Sequence, residues 1–310
     1  MPKLKLDPLL LGILAAAGLA FIVPAEGSFA AGFDVAVKLA IGLLFFLYGA
    51  RLSTREALSG LTNWRLHLVI LAITFVLYPL IGVLARPTTF FLSPELYQGL
   101  LFMTLVPSTV QSSVAMTGIA RGNVPGAVVA ASLSSLVGVV VTPLLVMLLM
   151  GAGDGIHIDS SVFGDIALQL LLPFVLGQVA HNLFPKIKEL AGATKIVDRG
   201  SIWMVVYAAF SKGVVSGVWS NISVWELVFL ILFAAALVCA MLWGTQALAF
   251  AFPREDRVTI QMCGTQKSLA TGLPMASVIF GGASLGVLII PLMIYHMVQL
   301  IICSAYASRA

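Results

Sequence analysis

Long runs of apolar residues, separated by short polar connections, follow one another along the whole chain. A helix needs about 20 apolar residues to cross a bilayer. The alternation of apolar and polar positions that is typical of an outer-membrane barrel is absent from the sequence. The pattern therefore predicts an all-α integral membrane protein with ten transmembrane helices, at residues 8–24, 34–51, 66–85, 97–119, 124–150, 163–184, 200–218, 224–249, 257–281 and 284–306.

The lysine and arginine residues predict the orientation of these spans. With the N-terminus in the cytoplasm, thirteen of the seventeen basic residues lie in the inner connections or tails, and the outer connections carry only Arg86. This asymmetry is what the positive-inside rule requires. Lys3 and Lys5 precede the first run as in a signal peptide, but removing that run would place part of the basic set on the wrong side. We therefore expect a multi-pass inner-membrane protein with both termini in the cytoplasm.

Composition and motifs exclude several classes of function. With 60% hydrophobic and 10% charged residues, the chain is too apolar for a soluble enzyme. The basic residues behind the net charge of +4 lie between the apolar runs and form no stripe that would bind nucleic acid. The sequence has no nucleophile, phosphate-binding or metalloprotease motif, and its three cysteines have no metal-ligand spacing. We expect no enzyme activity, no catalytic residue, no metal site, no organic cofactor and no obligate protein partner.

Two predicted spans, the fourth and the ninth, are interrupted by small polar residues. The segments that begin at Gln111 and Gln266 both read Gln-x-Ser-(Val/Leu)-Ala and then Thr-Gly, with one inserted residue before one of the threonines. Spans five apart run in opposite directions, so this echo predicts two inverted five-span repeats, residues 1–154 and 155–310. Unwound backbone in a membrane must line a polar cavity or be buried in protein. We expect the two breaks to cross near the midplane.

These breaks form the candidate site for a small solute or ion. Such segments offer hydroxyls, carbonyls and half-helix ends to a ligand, although small residues also allow close helix packing. We assign Ser132, Ser134 and Ser135 of the fifth span to packing. The predicted substrate-binding or ion-binding residues at the breaks are Thr109, Gln111, Ser112, Ser113, Thr265, Gln266, Lys267 and Ser268.

Ionisable residues on three other spans are further candidates. Lys212 on the seventh span has no acidic neighbour in the sequence and suits an organic anion, so it joins the predicted binding residues. Lys38 on the second span can instead pair with Asp34, four residues earlier. His296 on the tenth span is a candidate proton-relay residue, and the alternative is a histidine that is hydrogen-bonded within the helix bundle.

The inverted repeat, the Arg121-Gly122-Asn123 corner and the two glutamine-containing breaks resemble the bile acid:sodium symporter family, in particular its divergent branch of bacterial and eukaryotic members. The resemblance implies a panel domain of spans 1, 2, 6 and 7 that moves against a core domain of spans 3–5 and 8–10. It also implies a sodium site beside the breaks, where this chain matches the family at Gln266 and Ser113. The family's other ligand positions fall on Met262, Lys267, Thr74, Ala127 and Ala131, and an offset of one residue restores only Ser132 and Gln261.

A missing carboxylate and an added lysine change the chemistry that this resemblance implies. Sodium, a hard cation, favours several oxygens and nearby negative charge. We expect the Lys267 ammonium to act as a tethered cation in the sodium cavity, so that a proton does the coupling work. The alternative is a lysine that only holds the unwound segment together. Binding of a sodium ion at this site is kept as an alternative.

Together these features predict a secondary active transporter that moves an organic anion or amphipathic solute by alternating access. Its partners are then a small-molecule substrate and the lipid bilayer. The alternative from another class is a non-transporting membrane regulator or scaffold that retains the transporter fold. A solute that binds the protein but is not transported would favour the regulator or scaffold over the transporter.

Overall fold

The structure, a computed structural model, describes residues 8–51, 63–150, 167–184, 191–280 and 285–309. Every regular element in these ranges is helical, and none of their residues forms a β-strand. The all-α fold class predicted from the apolar runs is therefore confirmed. The α-helices are α1 (Pro8–Ile22), α2 (Gly27–Arg51), α3 (Trp64–Ala72), α4 (Tyr78–Leu84), α5 (Pro94–Leu105), α6 (Val110–Ile119), α7 (Val124–Met150), α8 (Leu172–Leu183), α9 (Ala191–Ser216), α10 (Val224–Leu248), α11 (Arg254–Thr265), α12 (Leu269–Ile279), α13 (Leu285–Leu288) and α14 (Ile290–Ala307).

Several of these helices can cross a membrane by their length and composition. In the described part of the chain, five segments qualify, namely Gly27–Ala50, Trp64–Phe90, Val124–Met150, Val224–Leu248 and Leu285–Ala307. A sixth is formed if α5 and α6, which are bent by 61° at their junction, count as one span. Leu11–Ile22 and Leu168–Leu183 are shorter apolar helices. The count of ten spans and the inverted repeat remain predictions.

The chain divides into two compact units. The first contains the described residues of Met1–Arg51, Asp159–Asn221 and Leu273–Val287. The second contains those of Leu52–Ile158, Ile222–Gly272 and Leu288–Ala310. The break between α5 and α6 and the break between α11 and α12 both lie in the second unit.

In the first unit, α2 packs closely against α8 because two glycines let the backbones approach. A Cβ atom added at Gly49 would lie 2.0 Å from the carbonyl oxygen of Phe174, and one added at Gly177 would lie 2.0 Å from that of Phe46. The Gln178 side chain adds a hydrogen bond, in which Nε2 donates to the Gly49 carbonyl at 2.9 Å. No other residue type fits at these two glycines without moving the helices apart.

In the second unit, acidic side chains tie the beginnings of helices to their neighbours. The Glu226 carboxylate, in the first turn of α10, accepts a hydrogen bond from the backbone N–H of Ser93 at 2.7 Å and so joins α10 to the start of α5. The Asp256 carboxylate, in the first turn of α11, accepts from Asn63 Nδ2 at 3.1 Å and from Asn123 Nδ2 at 2.7 Å. Negative groups are favourable at the N-termini of helices. These bonds fix the helices that flank the breaks.

Candidate binding site at the two helix breaks

The extended segment between α5 and α6 interrupts the first of the broken helices. Pro107 lies in this segment and has no N–H with which to continue a helix. Two side chains of α7 bind the backbone that the break frees. Thr142 Oγ1 donates to the Leu105 carbonyl at 2.9 Å, and the Ser108 N–H donates to Ser134 Oγ at 3.0 Å. Ser134, assigned to packing from the sequence, therefore also supplies an acceptor to the break.

The segment between α11 and α12 is likewise extended, and side chains of neighbouring helices bind its backbone. Gln299 of α14 uses both ends of its amide. The Lys267 N–H donates to Gln299 Oε1 at 2.7 Å, and Gln299 Nε2 donates to the Lys267 carbonyl at 2.8 Å. The Thr265 carbonyl accepts from the hydroxyls of Tyr78 and Tyr295, at 2.5 Å and 2.9 Å. Buried backbone that leaves a helix needs such partners.

The two breaks also bind each other. The Ser268 N–H donates to the Pro107 carbonyl at 2.8 Å, which joins the two extended segments directly. Ser108 Oγ donates to the Cys263 carbonyl at 2.6 Å, two residues before the end of α11. The interrupted segments that the sequence pairs through their shared Gln-x-Ser pattern are therefore in contact in the second unit.

The Lys267 side chain lies between the breaks and is fully buried. Its Nζ donates to the carbonyls of Thr74, Thr104 and Val106 at 2.9, 2.8 and 2.9 Å. It also lies 4.2 Å from the centre of the Tyr78 ring, within the range of a cation–π interaction. No carboxylate among the described residues lies within ion-pair distance of this amine. The three N–H donors of an ammonium thus match three neutral carbonyls. We call these carbonyls and the Tyr78 ring the ammonium cage.

Helix ends and a helix irregularity supply the carbonyls of the ammonium cage. Two of them lie at the C-terminal end of α5, where the helix dipole favours a cation. The third belongs to a π-helical turn, Ile73–Leu77, between α3 and α4. There the Tyr78 N–H donates to the Ile73 carbonyl instead of to that of Thr74, and the next residue, Pro79, has no N–H. The Thr74 carbonyl is therefore free to accept from Lys267.

The structure brings most of the predicted break residues together. The Ser112 hydroxyl donates to Gln266 Oε1. Gln266 is fully buried, and its Nε2 has no hydrogen-bond partner within the described part of the chain. The Gln111 side chain is exposed and does not join this group. The residues that do lie at the two breaks are Thr109, Ser112, Ser113, Thr265, Gln266, Lys267 and Ser268.

His296 lies beside the same break. Gln299 Nε2, whose direction is set by the bonds of the amide to Lys267, donates to His296 Nδ1 at 2.9 Å. That nitrogen of His296 is therefore an acceptor in this structure. The hydrogen bond is what the bundle-packing alternative predicts, and the proton-relay role stays a prediction.

Lys212 belongs to the first unit, whereas both breaks belong to the second. Its Nζ forms an ion pair with Asp34 Oδ2 at 2.8 Å, and both side chains are about one-third exposed, at 32% and 36%. The alternative that paired Asp34 with Lys38 is therefore wrong, because Lys38 is exposed and the carboxylate reaches α9 instead. A sequence shows an acidic partner four residues away on the same helix, but it does not show a partner on another helix.

Apart from Lys267, the positions of this chain that correspond to the family's sodium ligands carry no charged side chain. Met262, Ala127 and Ala131 are fully buried and apolar. Gln261, the alternative ligand, donates through Nε2 to the Leu242 carbonyl at 2.7 Å. No group of three or more His, Cys, Asp or Glu side chains within the described ranges could hold a metal ion.

The partners of Lys267 could not be identified from the sequence. These are the backbone carbonyls of the cage, the ring of Tyr78 and the side-chain amide of Gln299. Tyr295 acts one step further away, through the Thr265 carbonyl and the Tyr78 hydroxyl. Carbonyls leave no trace in a sequence, since every residue has one. The one usable signal was Pro79 in the middle of an apolar run, because proline often marks an irregular turn in a membrane helix.

Comparison with known proteins identifies relatives over nearly the whole chain. The model of the SBF-like CPA transporter family matches residues 7–310. "Uncharacterized protein PA2026" of Pseudomonas aeruginosa is 43% identical over 312 residues, which are 99% of this chain and 94% of that protein. "Putative symporter YfeH" of Escherichia coli is 40% identical over 98% of this chain and 92% of its own length. "Sodium/bile acid cotransporter 7" of Rattus norvegicus is 26% identical, again over 98% and 92%. The resemblance found in the sequence is confirmed.

Proposed function

Because the chain belongs to the SBF-like CPA transporter family, it is a multi-pass membrane transporter and not an enzyme, and we propose that it moves an organic anion or amphipathic solute by alternating access. That it has a small-molecule substrate follows from the family. The sequence contains no nucleotide-binding motif, so a secondary mechanism is proposed. The class of substrate and the coupling ion are the parts that need experiments.

The observation that carries the proposal is the buried charge at the breaks. A lysine within a membrane-spanning bundle is costly and typically marks a transport pathway. Here the Lys267 ammonium is held by three backbone carbonyls and a tyrosine ring without a counter-ion among the described residues. A sodium ion beside it would be repelled by the like charge. We propose that Lys267 takes the place of sodium and that transport needs no sodium.

A proton on Lys267 is the proposed coupling agent. The ammonium has three N–H donors for the three carbonyls, whereas the neutral amine has two. Loss of the proton would leave one buried carbonyl without its donor, at a cost of about 1–3 kcal/mol. Deprotonation therefore weakens the hold of the cage on the Lys267 side chain. Through this link, proton exchange and opening of the breaks can be coupled.

An anionic group of the substrate is proposed to bind at the beginning of α6. Thr109 precedes this helix and does not cap it with its side chain. Gln266, fully buried and bonded to Ser112 in the first turn, has an Nε2 donor without a partner in the described part of the chain. The N-terminus of a half-helix and an unused amide N–H both favour a negative group. Carboxylate or sulfonate solutes fit this chemistry.

The architecture in the membrane completes the proposal. We propose ten spans in two inverted repeats, a panel of spans 1, 2, 6 and 7, a core of spans 3–5 and 8–10, and an inner-membrane location with both termini in the cytoplasm. Two observations support it, namely the asymmetry of basic residues and the contact between the fourth and ninth predicted spans at their breaks.

The proposal is tested with purified protein reconstituted in liposomes. Potassium salts of carboxylates and sulfonates, taurocholate among them, are first screened for thermal stabilisation, and the solutes that stabilise are then assayed for flux. We expect flux to be unchanged when sodium is replaced by potassium or choline and to respond to an imposed pH gradient. Lys267→Met should reduce it by about tenfold or more, which corresponds to about 1.4 kcal/mol.

Lys38→Met is the matched control, because it removes an exposed lysine of α2 and should leave flux unchanged. Sodium-dependent flux that persists at a normal rate in Lys267→Met would contradict the proposed role of Lys267. A solute that stabilises the protein but is not transported would favour the regulator or scaffold alternative.

A further inference from the structure

The ammonium cage is built almost entirely from groups that no side-chain substitution removes. Two of its carbonyls lie at the end of α5, and the third is freed by the π-helical turn and Pro79. The lysine reaches these groups from a different helix break. If the lysine side chain were absent, the carbonyls would remain in place and would still face one another around a small buried volume.

The chemistry of the cage favours one class of cation. A hard metal ion such as sodium favours several oxygens and a nearby carboxylate. The cage offers three neutral oxygens, at 2.8–2.9 Å from Nζ, and an aromatic face. Three N–H donors satisfy three carbonyls, and an aromatic face attracts an ammonium ion. A primary ammonium ion uses every side of the cage, whereas sodium does not.

The Tyr78 ring is held in place independently of the lysine. Its hydroxyl donates to the Thr265 carbonyl at 2.5 Å and lies 2.6 Å from the hydroxyl of Tyr295. The two rings meet edge to face, with centroids 6.3 Å apart and planes at 89°. The face of Tyr78 is therefore a fixed part of the cage and does not depend on a bound cation.

From this geometry we infer that the ammonium cage is a binding site for primary ammonium ions, filled in this protein by Lys267, and that the face of Tyr78 selects such ions over sodium. This inference rests on the proposed role of Lys267 as a tethered cation. It goes further by stating which cations the site accepts, and it can be tested without a transport substrate.

The test is chemical rescue of Lys267→Ala in detergent, followed by thermal unfolding. The titrants are the chlorides of n-propylammonium, ammonium, sodium, potassium and choline at constant ionic strength, and n-propanol serves as a neutral compound of the same shape. We expect n-propylammonium to raise the Tm of the variant by about 2–4 °C at saturation. Sodium, choline and n-propanol should not raise it, and the unmodified protein should respond to none of them.

Two further variants test the part played by Tyr78. Lys267→Ala combined with Tyr78→Leu removes the aromatic face and should lose the rescue, whereas Lys267→Ala with Tyr78→Phe keeps the face and should retain most of it. Lys38→Ala controls for general effects of amines. If Lys267→Ala does not fold, Lys267→Met with ammonium chloride is used, since ammonium does not need the space of the stem. Rescue by sodium, or no rescue by either amine, would overturn the inference.

Discussion

Arg121 adopts a backbone conformation that favours glycine. Its φ is 57°, and within the described ranges it is the non-glycine residue with a positive φ. It follows the end of α6, where the Gly122 N–H donates to the Thr117 carbonyl at 2.8 Å and the Arg121 N–H donates to that of Gly118 at 3.2 Å. This pair of bonds is the Schellman motif, in which the residue at this position has a left-handed conformation and is usually glycine.

We expect Arg121→Gly to raise the free energy of unfolding by about 1 kcal/mol, because a side chain in the left-handed region costs about that much. The measurement is denaturant or thermal unfolding of the purified protein. Arg121→Ala is the control, since it removes the same charge but keeps the Cβ atom and should bring no such gain. Equal stability of the two variants would show that the left-handed conformation carries no cost here.

At the residue scale, the sequence identified the site better than it identified the contacts within it. Lys267 and Gln266 stood out because an amine and an amide are unusual in an apolar run. Their partners did not, since the cage consists of backbone carbonyls and the ring of Tyr78. Lys212 shows the same limit, because its partner Asp34 lies on another helix.

At the element scale, the contact between α2 and α8 depends on glycine. We expect Gly49→Ala to lower the free energy of unfolding by about 2 kcal/mol, because its Cβ would meet the backbone carbonyl of Phe174 at 2.0 Å and backbone cannot move aside cheaply. Gly42→Ala on the same helix is the control. Its Cβ would lie 3.9 Å from the Pro173 side chain, an ordinary contact, and alanine is the better helix former.

Thermal unfolding of the two variants side by side is the measurement. A loss of stability in Gly42→Ala as large as that in Gly49→Ala would mean that glycine is needed along the whole helix and that the close approach at Gly49 is not the cause.

The positions of the helix breaks could be predicted from the sequence, whereas for the π-helical turn Pro79 indicates only that an irregular turn is near and not which residues form it. Pro107 and the small polar residues around it interrupt an apolar run. The proline has no N–H to continue a helix, and the serine and threonine residues have low helix propensity. Four of the five residues in the turn at Ile73–Leu77 are apolar, and together with Thr74 they would suit a plain helix equally well. The shift in hydrogen bonding, in which the Tyr78 N–H donates to the Ile73 carbonyl, is accompanied by the missing N–H of Pro79.

At the scale of the whole molecule, the number of crossings depends on how α5 and α6 are interpreted. The pair is bent by 61°, so by geometry it is either one broken span or a segment that enters and leaves on the same side. The basic residues favour a crossing. Arg86 then lies outside, while Arg121, immediately after α6, lies inside with most of the other basic residues.

Reporter fusions in Escherichia coli test this directly, with alkaline phosphatase active outside the inner membrane and green fluorescent protein fluorescent inside. We expect phosphatase activity for fusions after residues 92 and 220, and fluorescence for fusions after residues 123, 254 and 310, because ten crossings place the last three in the cytoplasm. Phosphatase activity at both 92 and 123 would make α5 and α6 a re-entrant segment. The number of crossings would then be odd, and the inverted repeat would lose its premise, because spans four and nine could no longer cross the membrane in opposite directions.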